Sequence, residues 1–124
     1  MTSFSSICNG INNCPPINSF APNNVKAFRI VKNVNLTDKD FKSYAELGQT
    51  APRATAVQLC SISVYSSKAK AEHRLKINPY LGDKIACGIL DNTAGKVSHP
   101  NQISGHFNWW AFDVIDRKIF FKVV

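Results

Sequence analysis

Short apolar runs separated by turn-forming residues fill the C-terminal third of the chain, which is the pattern of an antiparallel β meander. Asp116 and Arg117 mark one turn, and DNTAG (91–95) marks another, in which Gly95 is available for a positive φ. Strands are predicted over KIACGIL (84–90), KVSHP (96–100), HFNWWAFDV (106–114) and KIFFKVV (118–124).

Two earlier segments, KAFRIVKNV (26–34) and VQLCSISVY (57–65), alternate side chains between two faces. A period of two is the mark of a β-strand, because successive side chains point to opposite faces of a sheet. Together with the meander, these segments predict an antiparallel sheet of four to six strands.

A helix is predicted over residues 38–47. Thr37 is an N-cap candidate, and Asp40 completes a capping box with it. Leu36 and Phe41 occupy the two positions of a hydrophobic staple.

The segment SKAKAEHRLKI (67–77) is ambiguous. Its charges recur at every second position, as in a strand, but its alanines are good helix formers and poor strand formers. Ser67 or the serine before it offers an N-cap, so we predict a helix that turns Ala71 and Leu75 inward and ends at Pro79.

The predicted fold class is α+β: a mainly antiparallel sheet of four to six strands with about two helices packed on one face, preceded by an irregular N-terminal arm. The arm is residues 1–25, which hold no charged side chain, six asparagines and three prolines, a composition that favours turns. Residues 26–124 are predicted to form a single α+β domain.

The chain carries 15 Lys and Arg against 8 Asp and Glu, for a net charge of +7. This balance favours an anionic partner such as a nucleotide or nucleic acid, although the cations are scattered and form no block. The N-terminal stretch lacks the basic start and apolar region of a secretory signal, and no apolar run approaches the roughly 20 residues needed to span a bilayer. A cytoplasmic location and no membrane partner are therefore predicted.

The four cysteines are Cys8, Cys14, Cys60 and Cys87, and none forms a CxxC pair. Cys60 and Cys87 fall in apolar runs, where free thiols behave as small hydrophobes. In a cytosolic chain we expect all four to be reduced.

The segment SGHFNWWAFD (104–113) holds the densest candidate chemistry. On a strand, His106, Asn108 and Trp110 share one face, while Trp109 points to the other. An indole would stack on a planar ligand that the imidazole and the amide hydrogen-bond. The alternative is an ordinary core strand with a histidine at its end.

Arg29 on an early strand, followed by Ser61-Ile62-Ser63 and Tyr65, loosely resembles the Arg and Ser-Thr-Ser pattern of ADP-ribosyltransferases. That family uses a later glutamate, and the only glutamates here, Glu46 and Glu72, do not follow the serines on a strand. The comparison therefore supplies a pocket hypothesis and no family assignment. In this hypothesis Arg29, Ser61, Ser63 and Tyr65 hold a phosphate or nucleotide; the alternative is a polar sheet face in solvent.

Other site chemistry has little support. His99 and His106 would hold a metal only with Cys87 or Asp91, at no recognised ligand spacing, so no metal and no cofactor are predicted. No GxSxG, GxxxxGK[ST] or GxGxxG motif is present.

The first functional hypothesis is a binding module for an anionic planar ligand, a nucleotide or single-stranded nucleic acid, held by His106, Asn108 and Trp110 with Arg29, Tyr65 and Ser63. This hypothesis expects His106, Trp110, Arg29 and Tyr65 to converge on one surface. The second is an interaction domain that forms a homo-oligomer or docks on a protein partner, with IFFKVV as an exposed edge. The third is a small enzyme with His106 as general base, the only catalytic candidate.

Overall fold

Six strands form one antiparallel sheet in the order β4-β5-β2-β1-β3-β6. The computed structural model describes residues 3–124. The strands are β1 (Val25–Val31), β2 (Ile62–Tyr65), β3 (Lys84–Leu90), β4 (Gly95–Val97), β5 (His106–Ala111) and β6 (Phe121–Val123). The predicted antiparallel α+β architecture is confirmed.

Two α-helices, α1 (Ala56–Leu59) and α2 (Lys68–Ile77), pack on one face of the sheet, which we call the outer face. The helix predicted over 67–77 is confirmed, and Ser67 caps it by accepting a hydrogen bond from Lys70 N at 3.2 Å. The chain between residues 3 and 124 contains no helix of the length and apolarity that a membrane crossing requires.

The opposite, inner face of the sheet carries the main hydrophobic core. Trp109 and Phe121 lie on strands four positions apart in the sheet, which is about 19 Å in a flat sheet. Their ring centroids are nevertheless only 5.8 Å apart, so the sheet is strongly curled around this core. Phe41 closes the core, fully buried against Phe121.

The helix predicted over 38–47 is wrong beyond its first turn. Asp38–Phe41 forms a turn of the 3₁₀ type, the next residue is extended (φ −109°, ψ 142°), and a separate turn follows in which Leu47 N donates to Ser43 O. The predicted capping pair is present, with Thr37 N donating to Asp40 Oδ2 at 2.9 Å. The turn ends there as Phe41 enters the inner core.

The strand predicted over 57–65 is correct only in its second half. Residues Ile62–Tyr65 form β2, but Ala56–Leu59 form α1. A sequence signal for α1 existed: Thr55 and Gln58 form a reciprocal capping box, with bonds of 2.9 and 3.2 Å. The alternating apolar residues concealed it.

The N-terminal arm is fastened to the body at several points. Cys8 and Cys60 form a disulfide across 52 residues, with Cα atoms 6.1 Å apart. Phe4 forms a backbone bridge to Phe112 on one side, and Phe20 forms another to Val97 in the edge strand β4. The arm therefore covers part of the outer face of the sheet.

The prediction of four reduced cysteines is wrong for Cys8 and Cys60, while Cys14 and Cys87 are free. The error arose because the reduced state was deduced from the predicted cytosolic location. Since disulfides persist in oxidising compartments, the bond does not fit the cytoplasmic location from which the reduced state was deduced. The location itself stays a prediction.

The two edges of the sheet differ. At one edge, Phe20 of the arm forms a bridge to β4. At the other edge, nothing within residues 3–124 pairs with the free backbone edge of β6. The side chains of Ile119 and Val124 near this open edge are 72% and 48% exposed. Self-association through this edge stays a prediction.

Candidate functional site

A strip of polar side chains crosses the outer face where β2 and β5 pair. The strands are in register with Ser63 opposite Asn108 and Tyr65 opposite His106. We define the polar strip by four residues: Ser61, Ser63, His106 and Asn108.

The polar strip lies between two apolar clusters. On one side, α2 covers Phe28, Tyr65 and Ile85. On the other side, Trp110 packs with the Cys8–Cys60 disulfide. Ser61 is buried, and the other three strip residues are half-buried. Polar groups held at this depth between apolar walls are a feature that ligand sites share.

A hydrogen bond joins the side chains of His106 and Ser63. The Nε2 of His106 lies 3.0 Å from the Oγ of Ser63. The ring of His106 also meets the edge of the Tyr65 ring, with centroids 5.5 Å apart and planes at 70°. The imidazole is thereby positioned by one hydrogen bond and one aromatic contact.

The surroundings of His106 disfavour its protonated form. Burial lowers the pKa of His106 below its ordinary value, and the positive charges of Arg74 and Arg29 lower it further. His106 is therefore neutral at neutral pH, with an acceptor nitrogen available in either tautomer.

Asn108 and Ser61 complete the polar strip. Ser61 Oγ lies 2.7 Å from Gln58 O and 3.0 Å from Asn108 Oδ1, and these two acceptors share its single hydroxyl hydrogen. The Nδ2 of Asn108 makes no hydrogen bond to any residue between 3 and 124. Two amide hydrogens are therefore available to an acceptor at this point of the strip.

Trp110 shares the outer face with His106 but offers no surface to a ligand. It is 4% exposed, and its Nε1 donates to Val57 O at 3.0 Å. Trp109 on the inner face is fully buried and donates to Ala94 O. Both indoles are core side chains in this structure.

Arg29 lies on the inner side of β1, between Ala27 and Val31. Its Nε donates to Asp40 O and its Nη1 to Ser63 O, both at 2.9 Å. β1 and β2 are paired only at Phe28 and Tyr65, so the guanidinium fills the gap where the two strands separate. Arg29 thus binds the backbone of the polar strip from the inner face of the sheet.

Of the predicted site residues, the structure brings His106, Ser63, Asn108 and Tyr65 together on one surface; Trp110 is covered, and Arg29 approaches from the other face. Sequence reasoning missed Arg74 on α2, whose charge acts on both His106 and Tyr65. The available signal was weak, since Arg74 is one of several scattered cations in a segment of ambiguous structure.

Asn78 anchors Arg74. With its side-chain amide oriented so that the oxygen faces the guanidinium, Asn78 accepts from Nη2 and Nε of Arg74 at 3.1 and 3.2 Å. One end of the guanidinium is thus held at the C-terminal end of α2. A cation fixed in this way recognises an anion at a smaller cost in side-chain entropy.

Two other features of the molecule do not join the strip. The ring of His99 packs on Phe20, with centroids 4.6 Å apart, while His106 packs on Tyr65. A concavity of about 480 Å³ near Arg117 is lined by acidic and basic side chains, several of which pair with one another. Those pairs involve five of the seven charged side chains that line the concavity.

Comparison of the chain with protein-family models, with curated proteins and with solved structures finds no match.

The lowered pKa of His106 predicts a pH dependence of stability. Because the unfolded chain binds a proton near pH 6.5 and the folded chain only at lower pH, the stability is complete above about pH 6.5 and falls toward the folded pKa. Thermal unfolding between pH 5 and 8 should show a smaller loss on acidification for His106→Gln than for wild type. The exposed His73→Gln control should match wild type, and a wild-type profile shared by His106→Gln would contradict the assignment.

Proposed function

We propose that the polar strip binds a small anionic ligand, and that the phosphate group of a nucleotide is the chemistry that fits it best. The observation that carries this proposal is the half-buried pair of His106 and Ser63 in the positive field of Arg74 and Arg29. Neutral donors combined with a nearby guanidinium are the usual means of holding a phosphate oxygen. The net charge of +7 favours the approach of an anion.

In this proposal the strip recognises the charged phosphate of the ligand and does not stack on its planar base. Stacking would need an accessible aromatic face, but Trp110 is 4% and Tyr65 7% exposed. A single-stranded nucleic acid gains much of its affinity from stacked bases, so the strip favours a small phosphate-bearing molecule. The proposed donors are Asn108 Nδ2 and Arg74, joined by Ser63 in the tautomer in which His106 Nε2 donates to Ser63 Oγ.

Titration with inorganic phosphate and with adenosine monophosphate, followed by ¹H–¹⁵N NMR, tests this proposal. We expect shifts of the Asn108 side-chain amide and of the His106 imidazole, and an affinity that falls as salt rises. Arg74→Gln should weaken binding by about tenfold, since one charge-assisted hydrogen bond contributes about 1.5 kcal/mol or more.

The matched control is Lys76→Gln, which removes one exposed positive charge from the same helix. It should retain the wild-type affinity within about a factor of two, because distant exposed charges are screened. Shifts spread over the basic surface, or equal losses in Arg74→Gln and Lys76→Gln, would show nonspecific attraction and overturn the proposal.

A further inference from the structure

We infer that Ser63 is a nucleophile activated by His106, and that the polar strip transfers acyl groups from esters that carry a negative charge. The preference for a charged ester rests on the proposed anion site, whereas the reactivity of Ser63 does not. The inference starts from the 3.0 Å contact between Ser63 Oγ and His106 Nε2, which is within the range of a nucleophile and its general base.

The positions of the protons on Ser63 and His106 suit a nucleophile and its general base. In the tautomer protonated at Nδ1, the Ser63 hydroxyl donates to the Nε2 of His106. Because His106 is neutral at neutral pH, its Nε2 lone pair is free to accept the serine proton. Ser63 Oγ has no other hydrogen-bond partner within residues 3–124, so His106 is its single described acceptor.

The position of His106 is well supported, although no carboxylate within residues 3–124 hydrogen-bonds its ring. Its backbone N–H donates to Ser104 Oγ at 3.2 Å, and its carbonyl accepts from Asn101 N at 2.8 Å. The Tyr65 ring then contacts the imidazole edge-on. Packing and strand register therefore do the orienting that a third charged residue does in a triad.

Asn108 supplies the group that would stabilise the oxyanion. It lies directly opposite Ser63 across the two strands, and Ser61 holds its Oδ1 at 3.0 Å. The Nδ2 of Asn108 makes no hydrogen bond to any residue between 3 and 124, so its hydrogens are free to be donated to a ligand. An amide donor fixed beside a nucleophile stabilises a developing negative charge.

The reaction balances without an external oxidant or reductant. Ser63 Oγ attacks the ester carbonyl carbon while His106 Nε2 takes the hydroxyl proton. The carbon–oxygen bond to the leaving alcohol then breaks, and the alcohol departs with the proton from His106. Water, deprotonated by the same imidazole, hydrolyses the acyl-serine and regenerates the pair.

An alkyl fluorophosphonate tests the nucleophile directly. Formation of the Ser63 Oγ–phosphorus bond expels fluoride, and His106 accepts the hydroxyl proton. We expect a single adduct on wild-type protein, mapped to Ser63 by peptide mass spectrometry. The rate of labelling should fall about a hundredfold in His106→Gln and be unchanged in the controls His73→Gln and Ser66→Ala, which alter exposed side chains.

The adduct on the wild-type protein tests whether Ser63 is the nucleophile even if a variant fails to fold. Absence of an adduct, an adduct on another residue, or undiminished labelling of a folded His106→Gln protein would overturn the inference. A second assay compares 4-nitrophenyl acetate with the mono-4-nitrophenyl ester of succinate. A preference for the succinate ester that disappears in Arg74→Gln supports the charged-substrate part.

The two proposals fail separately. If phosphate binds at the strip while Ser63 stays unlabelled, the nucleophile inference is wrong and the anion site stands. If Ser63 is labelled but phosphate does not bind and the two esters react equally, the anion site is wrong and the nucleophile stands.

Discussion

Removing the Cys8–Cys60 disulfide is expected to lower the free energy of unfolding by about 4 kcal/mol, which is about 15 °C in Tm for a chain of this size. The bond links residues 52 positions apart, so its loss returns a large conformational entropy to the unfolded chain. It also holds the N-terminal arm over Trp110, whose burial depends on that cover. The measurement is urea unfolding of the double variant Cys8→Ala/Cys60→Ala against wild type.

The matched control is Cys14→Ala/Cys87→Ala, which removes the same number of sulfur atoms from two half-buried free thiols. It should be much less destabilising, because no covalent link is lost. Thiol titration of unreduced, denatured wild type should find two free groups. Four free thiols, or equal losses in the two double variants, would be incompatible with the bond.

Local signals in the sequence were enough to predict the elements whose contacts are also local. β3 has the predicted bounds 84–90, because its alternating apolar residues are flanked by clear breaks. α2 follows its serine cap and its alanines. Gly95 adopts the positive φ expected at the end of its turn (φ +132°), where a side chain would collide with Trp110 O.

Two segments were mispredicted, one because a tertiary contact outweighed the local pattern and one because a local signal was overlooked. After Phe41 enters the core, Ser43 N donates to Glu46 Oε1 at 2.8 Å and starts a new turn. The helical pattern over 38–47 therefore breaks in the middle. At Ala56–Leu59 the opposite error occurred, since strand-like alternation was read where a capping box begins a helix.

The candidate site was predictable only in part. Strand alternation placed His106 and Asn108 on one face correctly, because side-chain direction on a strand follows from sequence alone. Their pairing with Ser63 depends on strand order, and the burial of Trp110 depends on an arm that returns from the other end of the chain. Neither long-range fact leaves a trace in the local pattern.

Replacing Arg117 with methionine is expected to cost about 3–5 kcal/mol of stability. Arg117 and Glu46 form a bidentate pair, with both bonds at 2.8 Å and side chains only 10% and 12% exposed. Arg117 Nη1 also donates to Phe41 O at 2.8 Å and so fastens the turn that closes the inner core. The variant leaves the Glu46 carboxylate buried without its partner, which is the costly part.

The double variant Arg117→Met/Glu46→Met should recover much of this loss, because neither charge is then left unpaired. Lys118→Met is the matched control: it also removes a cation, but one whose pairs with Asp38 and Asp116 are exposed and contribute little. Chemical unfolding of the four proteins separates these cases. Equal losses for Arg117→Met and Lys118→Met would exclude a special role for the buried pair.

Acidification should reduce the difference in the free energy of unfolding between wild type and Arg117→Met. Burial alone would raise the pKa of Glu46, but hydrogen bonds from Arg117 and Ser43, together with the charge of Arg117, hold it below its ordinary value. Because the pKa of Glu46 is lower in the folded chain, the ionised carboxylate contributes fully to the free energy of unfolding above the unfolded pKa near 4.3. This contribution is lost as the pH falls through the folded pKa. A gap that stays constant from pH 6 down to pH 2.5 would show that Arg117 stabilises the fold through Phe41 alone.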